Sequence, residues 1–264
     1  MLANVISIKN SSRRLEAKKR GNQFGFNVCF FDASDYVKKS ISDLSNEFDI
    51  EKFNERYGRN PASGEIGVFM SHFRLWEKLS KDLTQDYHLI LEDDFLPQAT
   101  AKEIDEIINC TKNKYDVIIL GYSKVDSQLE DAISIINPIK AKYFSGPHKL
   151  GRKFHESTCG ALSYVVQDSF FDKVIVNAEK PSYLIDDWSI FKKMGVKILH
   201  VSPLCFYEDY KNMSSNIDQS GRFSPDYSKI KKRNSVYKVL RYIYRRSIGL
   251  LLTVLMFLGV YSSS

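Results

Sequence analysis

The chain has no closely spaced pair of cysteines. Cys29, Cys110, Cys159 and Cys205 lie far apart in 264 residues. None forms the Cys-x-x-Cys spacing of a zinc site or a redox motif. Isolated thiols of this kind fit a reducing compartment rather than a disulfide scaffold. No secretory leader is expected, because Met-Leu-Ala-Asn-Val-Ile-Ser-Ile-Lys has neither a basic region nor a long apolar core. The expectation is a catalytic body that stays in the cytoplasm. The apolar run from Ile248 to Tyr261 has 14 residues, short of the roughly 17 to 25 that a membrane-spanning helix needs. Internal repeats and low-complexity blocks are absent.

Acidic residues are missing from Tyr227 onward, whereas Lys229, Lys231, Lys232, Arg233, Lys238, Arg241, Arg245 and Arg246 crowd the same stretch. The formal charge of +6 therefore belongs to the tail. With those eight cations set aside, the remaining 30 basic residues face 32 acidic ones, about −2 for the first 226 residues. A nucleic-acid enzyme more often carries a basic groove in its main body, so no nucleic-acid partner is expected. The composition, 43% hydrophobic and 27% charged, is that of an ordinary folded protein. Its length allows one or two domains. The charge boundary divides the chain into a body, residues 1–226, and a basic amphipathic segment, residues 227–264. Basic residues followed by a short apolar helix suit an anchor lying on an anionic membrane surface. The alternative is a C-terminal helix packed on the body.

The body alternates strands and helices. Asn4 to Ile8 reads as a buried strand. Ser11 and Ser12 can cap a helix from Arg13 to Arg20 that stops at Gly21. Phe26 to Phe31 is a second apolar strand. Strand, helix, strand at this spacing predicts a parallel βαβ unit, and ligands of such sheets bind beyond the carboxyl ends of the strands. Lys9-Asn10 and Asp32-Ala33 would sit there. Ile66, Phe69, Met70, Phe73, Trp76 and Leu79 follow a helical period and predict a helix over 65–81. Strands follow at Tyr87 to Leu91, Asp116 to Leu120, Cys159 to Val166 and Val196 to Val201. Helices are expected near Ala99 to Cys110, Asp168 to Ala178 and Trp188 to Met194. Residues 122–157, with Pro138, Gly146, Pro147 and Gly151, read as irregular and suit a mobile loop over a site. After Pro203 the text is polar and loop-like. The fold class expected is α/β, a mixed and mainly parallel sheet flanked by helices.

Two motifs twenty-odd residues apart carry the chemistry. The first is Gly64-Glu65-Ile66-Gly67-Val68-Phe69-Met70-Ser71-His72, and the second is Leu89-Ile90-Leu91-Glu92-Asp93-Asp94. Three adjacent carboxylates at the end of an apolar strand repel one another unless a cation compensates. Hard divalent cations such as Mg²⁺ or Mn²⁺ prefer such oxygens and often bring a nucleotide diphosphate with them. If the strand stays extended, Glu92 and Asp94 share one face and Asp93 points to the other. The alternative is a solvated acidic turn that caps the next helix.

Taken in order, several short segments resemble glycosyltransferase family 25, the bacterial lipooligosaccharide galactosyltransferases. They are Val5-Ile6-Ser7-Ile8 with Arg13-Arg14, Phe30-Phe31-Asp32-Ala33, Tyr57-Gly58-Arg59, Gly64-Glu65-Ile66-Gly67, Ser71-His72, Leu91-Glu92-Asp93-Asp94, Gly160-Ala161 and Ile185-Asp186-Asp187. They cover roughly residues 4 to 200. Val68 stands where a cysteine is common in the family, and Ser34 interrupts its usual Ala-Val-Asp text. The resemblance implies a GT-A-type fold, a UDP-sugar donor (usually UDP-galactose), Mn²⁺ or Mg²⁺, and inversion at the anomeric carbon. It also implies a glycan or glycolipid acceptor.

The resemblance places Ile8, Asn10, Arg13, Arg14, Asp32, Ala33, Glu65, Ser71, His72 and Asp93 around the donor. Arg13 and Arg14 suit diphosphate or nucleobase, although a solvated helix face explains them as well. Asp32 and Ala33 resemble a uridine-binding edge, or a plain turn. His72 falls among core positions, where a lone helical histidine is usually structural. Glu92 and Asp94 look like the family's metal motif, with His200 a candidate third ligand or a core histidine. An inverting transfer needs a general base. Asp187 and Asp186 are its candidates, Asp187 slightly preferred, while either also suits the N-cap before Trp188. Rival functions are a metal-dependent phosphohydrolase or nuclease, and a non-catalytic membrane-tethered sugar-binding protein.

Overall fold

A computed structural model describes residues 1–209 except 37, 83, 112–113, 154–159 and 176–179, together with residues 247 and 251; only the backbone is described at 128 and 136. The chain begins with β1 (Leu2–Ser7), α1 (Arg13–Gln23) and β2 (Asn27–Asp32). β1 and β2 pair in parallel, from Leu2 opposite Asn27 to Ser7 opposite Asp32, which bears out the βαβ unit. Ser11 Oγ accepts the Arg13 N–H at 3.3 Å, while Ser12, the N-cap residue, makes no capping side-chain bond. The helix runs past Gly21, where the sequence placed its end. The chain reverses instead at Gly25, whose φ of 82° suits a residue without Cβ.

The stretch before the first motif holds two short helices to which the hydrophobic period assigns nothing, α2 (Ile41–Leu44) and α3 (Ile50–Tyr57). Local caps make them: Ser40 closes a capping box with Asp43, and Asp49 accepts the Lys52 N–H at 3.0 Å. Then comes α4 (Ser63–Leu79), close to the expected 65–81, followed by β3 (Tyr87–Glu92), β4 (Phe95–Pro97), α5 (Ala101–Thr111) and β5 (Val117–Gly121).

Residues 122–153 are not the loop the sequence suggested. They form α6 (Ser127–Ile136) and a hairpin of β6 (Ile139–Ser145) and β7 (His148–Lys153). Gly146 and Pro147 lie between the paired residues Ser145 and His148 and are the hairpin's turn, not a sign of irregularity. Residues 154–157 of the expected loop lie outside the described residues. The chain closes with β8 (Ser163–Gln167), α7 (Asp168–Val174), α8 (Trp188–Lys193), β9 (Ile198–Ser202) and β10 (Phe206–Glu208). The last strand falls in text that read as polar loop.

One mixed sheet of ten strands results, in the order β2-β1-β3-β8-β5-β9-β7-β6, with β4 and β10 paired beside that path. β8 runs antiparallel to both β3 and β5, and β9 lies parallel to β5. From β1 the chain crosses to β2 on one side, then returns past β1 to β3 on the other. Right-handed crossovers then put α1 and α4 on opposite faces. The order reverses between β1 and β3, so a crevice opens at their carboxyl ends.

α4 fills one face of the sheet. Trp76 meets Phe170 of α7 at 5.0 Å and Phe191 of α8 at 5.9 Å, while Phe69 meets Tyr183 at 5.1 Å. Burying each such ring contributes about 1.5–3 kcal/mol, and Trp76→Ala would cost about 3–5 kcal/mol. A second aromatic cluster joins Phe26 to Phe206 at 5.7 Å and Phe95 to Phe206 at 6.0 Å, drawing β10 against β4. No helix among the described residues is long and apolar enough to cross a membrane. The basic segment, apart from Ser247 and Leu251, lies outside the described residues.

Candidate active site

The three carboxylates do not continue an extended strand. β3 ends at Glu92, and the chain turns through Asp93 and Asp94 before β4. The turn draws Asp93 inward. Its Oδ2 accepts the Ser7 hydroxyl at 2.7 Å and its Oδ1 accepts Arg13 Nη1 at 3.2 Å. Arg13 Nη1 also lies 3.8 Å from Asp94 Oδ2. Asp93 is thus a strut between β1, α1 and β3 that aims the Arg13 guanidinium at the crevice. Arg14 Nη2 donates to the Ser7 carbonyl at 2.8 Å and to Asp32 Oδ1, with its guanidinium 5.0 Å from the Phe30 ring. Arg14 holds the Asp32 carboxyl below its ordinary range.

Around the end of β1, the Ile8 carbonyl accepts the Ser11 N–H at 3.0 Å, and Asn10 is exposed with φ of 65°. Ala33 N–H donates to the Ser7 carbonyl at 2.9 Å. Ile8, Asn10, Arg13, Arg14, Asp32 and Ala33 therefore gather at one end of the sheet. Ser71 and Glu65 act from behind. Ser71 Oγ accepts the Ser34 N–H at 2.8 Å and donates to the Gly67 carbonyl at 2.6 Å, fixing the loop after β2. Gly67 lets this loop lie on the helix: a Cβ there would stand 2.7 Å from the Ser34 carbonyl oxygen. Glu65 is held by both Arg59 nitrogens, at 2.7 and 2.8 Å, and its Oε2 accepts the Ala62 N–H at 2.9 Å, capping α4.

His72 is fully buried on α4, with Nδ1 2.6 Å from Tyr164 Oη and Nε2 3.6 Å from Glu92 Oε1. Burial lowers its pKa to about 3, so the ring is neutral. Glu92 is pushed the other way, to about 8, by burial first and then by the charges of Glu208, Asp93 and Asp186, with Arg13 opposing. Asp94 is raised well above its usual value, again by burial first and then by Glu92, Glu208 and Asp93. Its Oδ1 is buried without a hydrogen-bond partner.

Glu208 is the residue sequence reasoning missed. The antiparallel pairing of β10 with β4 sets Glu208 opposite Phe95 and beside the turn. Its Oε2 accepts the Lys124 N–H at 2.6 Å, while the next residue's N–H donates to the Asp94 carbonyl at 2.8 Å. An available signal was Phe206-Tyr207 leading into Glu208-Asp209, an aromatic pair ending in two acids. His200, in contrast, does not come to the carboxylates. β9 stands three strands from β3, about 14 Å at normal spacing, and His200 is buried with Nδ1 2.9 Å from Tyr122 Oη.

Among the described residues, no three His, Cys, Asp or Glu side chains form a ready-made metal cage. Mg²⁺-type sites usually use one or two carboxylates and complete their shell with substrate phosphates. The unpartnered Asp94 oxygen beside Glu92 and Glu208 fits that kind of site. Both Asp186 and Asp187 stand before α8, but their surroundings differ. Asp187 accepts the Tyr57 hydroxyl at 2.8 Å and the Ser189 hydroxyl, one on each oxygen. Asp186 Oδ2 accepts the Gly160 N–H at 2.8 Å, and its charge is felt by Glu92.

Comparison with known proteins agrees with this geometry. The profile of Glycosyltransferase family 25 (LPS biosynthesis protein) matches residues 2–189. A Glycosyltransferase 25 family member of Aedes aegypti is 27% identical over 131 residues, 46% of this chain and 21% of that protein. One of Anopheles gambiae is 31% identical over 90 residues, 33% of this chain and 15% of that protein. The matched segments are thus about a fifth or less of those relatives' length. Among solved structures, the galactosyltransferase LgtC in complex with donor and acceptor sugar analogs superposes with a TM-score of 0.37 and 10% identity, over 90% of this chain and 99% of that one. A197 from STIV gives 0.34 and 12%, over 78% and 82%. Superpositions this loose carry no argument about donor or mechanism; the family match over residues 2–189 does the assigning. This chain, with its mainly parallel sheet and its acidic turn at the switch point, belongs to glycosyltransferase family 25.

Proposed function

We propose that the chain is a metal-dependent, inverting hexosyltransferase that moves a sugar, galactose by preference, from a UDP-sugar to a lipooligosaccharide or related glycan. The observation that carries this reading is the half-buried acidic turn at the β1/β3 crevice, with the Asp94 Oδ1 atom buried and lacking a partner. Asp94 with Glu92 would hold Mn²⁺ or Mg²⁺, the donor phosphates completing the shell. When bound, the cation offsets the charge that builds on the nucleotide diphosphate as it departs.

The protein's own residues supply the rest. Arg13, aimed by Asp93 and Ser7, presents a guanidinium to phosphate oxygens, a match of charge and planar geometry. The Asp32–Ser34 edge, held on α4 by Ser71, offers backbone groups to a uracil ring. Asp186, in the field of Glu92, is the base that takes the acceptor hydroxyl's proton. Asp187, with both oxygens engaged, fixes the loop that carries it. The galactose preference and the glycolipid acceptor rest on the family resemblance alone. The basic segment from Lys229 to Arg246 would keep the body at anionic lipid on the cytoplasmic face, near such acceptors. The test is donor hydrolysis with Mn²⁺ across UDP-galactose, UDP-glucose and UDP-N-acetylhexosamines. Turnover of one UDP-sugar supports the transferase, and no turnover or binding of any of them rejects it.

A further inference from the structure

A chain of buried hydrogen-bonding groups runs from the core of the α4 face to the acidic turn. Trp76 and His72 lie one turn apart on α4, Tyr164 lies on β8, and Glu92 ends β3. Trp76 Nε1 is 2.9 Å from Tyr164 Oη, and Tyr164 Oη is 2.6 Å from His72 Nδ1. His72 Nε2 is 3.6 Å from Glu92 Oε1 and has no hydrogen-bond partner. Trp76, Tyr164 and His72 are all 0% exposed.

The direction of each bond follows from what each group can do. An indole N–H only donates, so Tyr164 Oη accepts from Trp76. The phenol then has one proton to place, and His72 Nδ1 is the acceptor within reach. Were Nδ1 protonated, Tyr164 would face two N–H donors and its own hydrogen would have nowhere to go in a dry interior. Nδ1 therefore accepts, and the neutral ring carries its proton on Nε2. Tyr164 also stacks on the imidazole, with centroids 5.7 Å apart and planes at 26°, which holds the ring's orientation. The N–H points at Glu92.

We propose that Tyr164 and Trp76 are positioning residues that act through His72, locking it in the tautomer whose Nε2–H is directed at Glu92. This rests on Glu92 being part of the donor site. The separation of 3.6 Å exceeds a hydrogen bond, and a small rotation of the Glu92 carboxylate, 28% exposed, closes it. A neutral donor on Oε1 orients the Glu92 carboxyl group and brings no charge of its own to the turn. That leaves Oε2 turned to the crevice.

The tautomer is read directly by long-range ¹H–¹⁵N spectra of histidine-labelled protein, with His72 assigned by its loss in His72→Gln. The wild type should show Nε2–H for His72, and Tyr164→Phe should lose that single tautomer. In kinetics, Tyr164→Phe should lower kcat about 10-fold with donor KM nearly unchanged, the usual scale for residues behind a ligand. His72→Gln, whose amide N–H₂ reaches the Nε2 position, should keep most activity, whereas His72→Leu should not. An Nδ1–H tautomer in the wild type, or equal kcat for the Gln and Leu variants, overturns the proposal. If no UDP-sugar is turned over by the wild type, the functional reading fails while the spectra still decide the tautomer.

Discussion

Tyr57 donates its hydroxyl to Asp187 Oδ2 at 2.8 Å, tying the end of α3 to the start of α8 across 130 residues of sequence. Tyr57 Oη in turn accepts the Leu184 N–H at 3.2 Å. Tyr57 thereby fixes the loop between Leu184 and Asp187 from both ends. The bond explains why a Tyr-Gly-Arg segment far in sequence from Asp186 and Asp187 belongs with the site. It also separates the roles of two adjacent acids.

If Asp187 is a strut and Asp186 the base, their amide variants should diverge. Asp186→Asn should lower kcat by about 10²-fold or more with donor KM nearly unchanged, since Asn still accepts the Gly160 N–H. Asp187→Asn and Tyr57→Phe should keep kcat within a few-fold and lose about 1–3 kcal/mol of stability. Steady-state kinetics with thermal melts of the three variants checks this. The reverse pattern would return the base to Asp187.

Glu92 makes the metal-free protein sensitive to alkali. Its pKa rises from 4.5 to about 8 on folding, so the folded state holds this proton more tightly than the unfolded chain. The stabilisation is complete below about 4.5 and is lost as pH rises through about 8. Glu92→Gln keeps the shape without the titration. Relative to the wild type in EDTA, its Tm should therefore climb steadily across that window. A constant difference in Tm at every pH would show that Glu92 titrates normally.

Much of this was legible in the sequence, and the exceptions have physical causes. α4 announces itself through a helical period, and β1 and β3 through short continuous apolar runs that are buried on both faces. β7 hides because its buried positions include His148, Gly151 and Lys153 rather than apolar residues, and β6 hides with it because the turn residues between them imitate a loop. β10 is three residues long and exists through pairing with β4, which no local pattern encodes. Glu208 was missed with it. The acidic turn could be named from sequence, but not the inward rotation of Asp93, which Ser7 and Arg13 impose from other elements. His200 shows the converse failure: a plausible ligand type on a strand that the sheet order carries away.

Gly67 tests the loop that would receive the base. A Cβ at this position meets the Ser34 carbonyl at 2.7 Å and Tyr36 Cβ at 3.4 Å, so Gly67→Ala must push the loop off α4. Donor KM should rise about 10-fold, roughly 1.4 kcal/mol of lost binding, with a smaller change in kcat. Calorimetry with UDP alone checks the same point without catalysis. Unchanged UDP affinity would mean that the Asp32–Ser34 edge does not touch the nucleotide.

On the proposed function, the acidic turn would hold a cation against the donor diphosphate. The most direct measurement is UDP-sugar turnover by chelated protein, before and after Mn²⁺ is restored, in the wild type and in Asp94→Ala. The wild type should be inactive in EDTA and recover with Mn²⁺. Asp94→Ala should stay at least about 10²-fold below it at matched Mn²⁺, the scale of losing such charge stabilisation. Full turnover by either protein in EDTA would contradict the account.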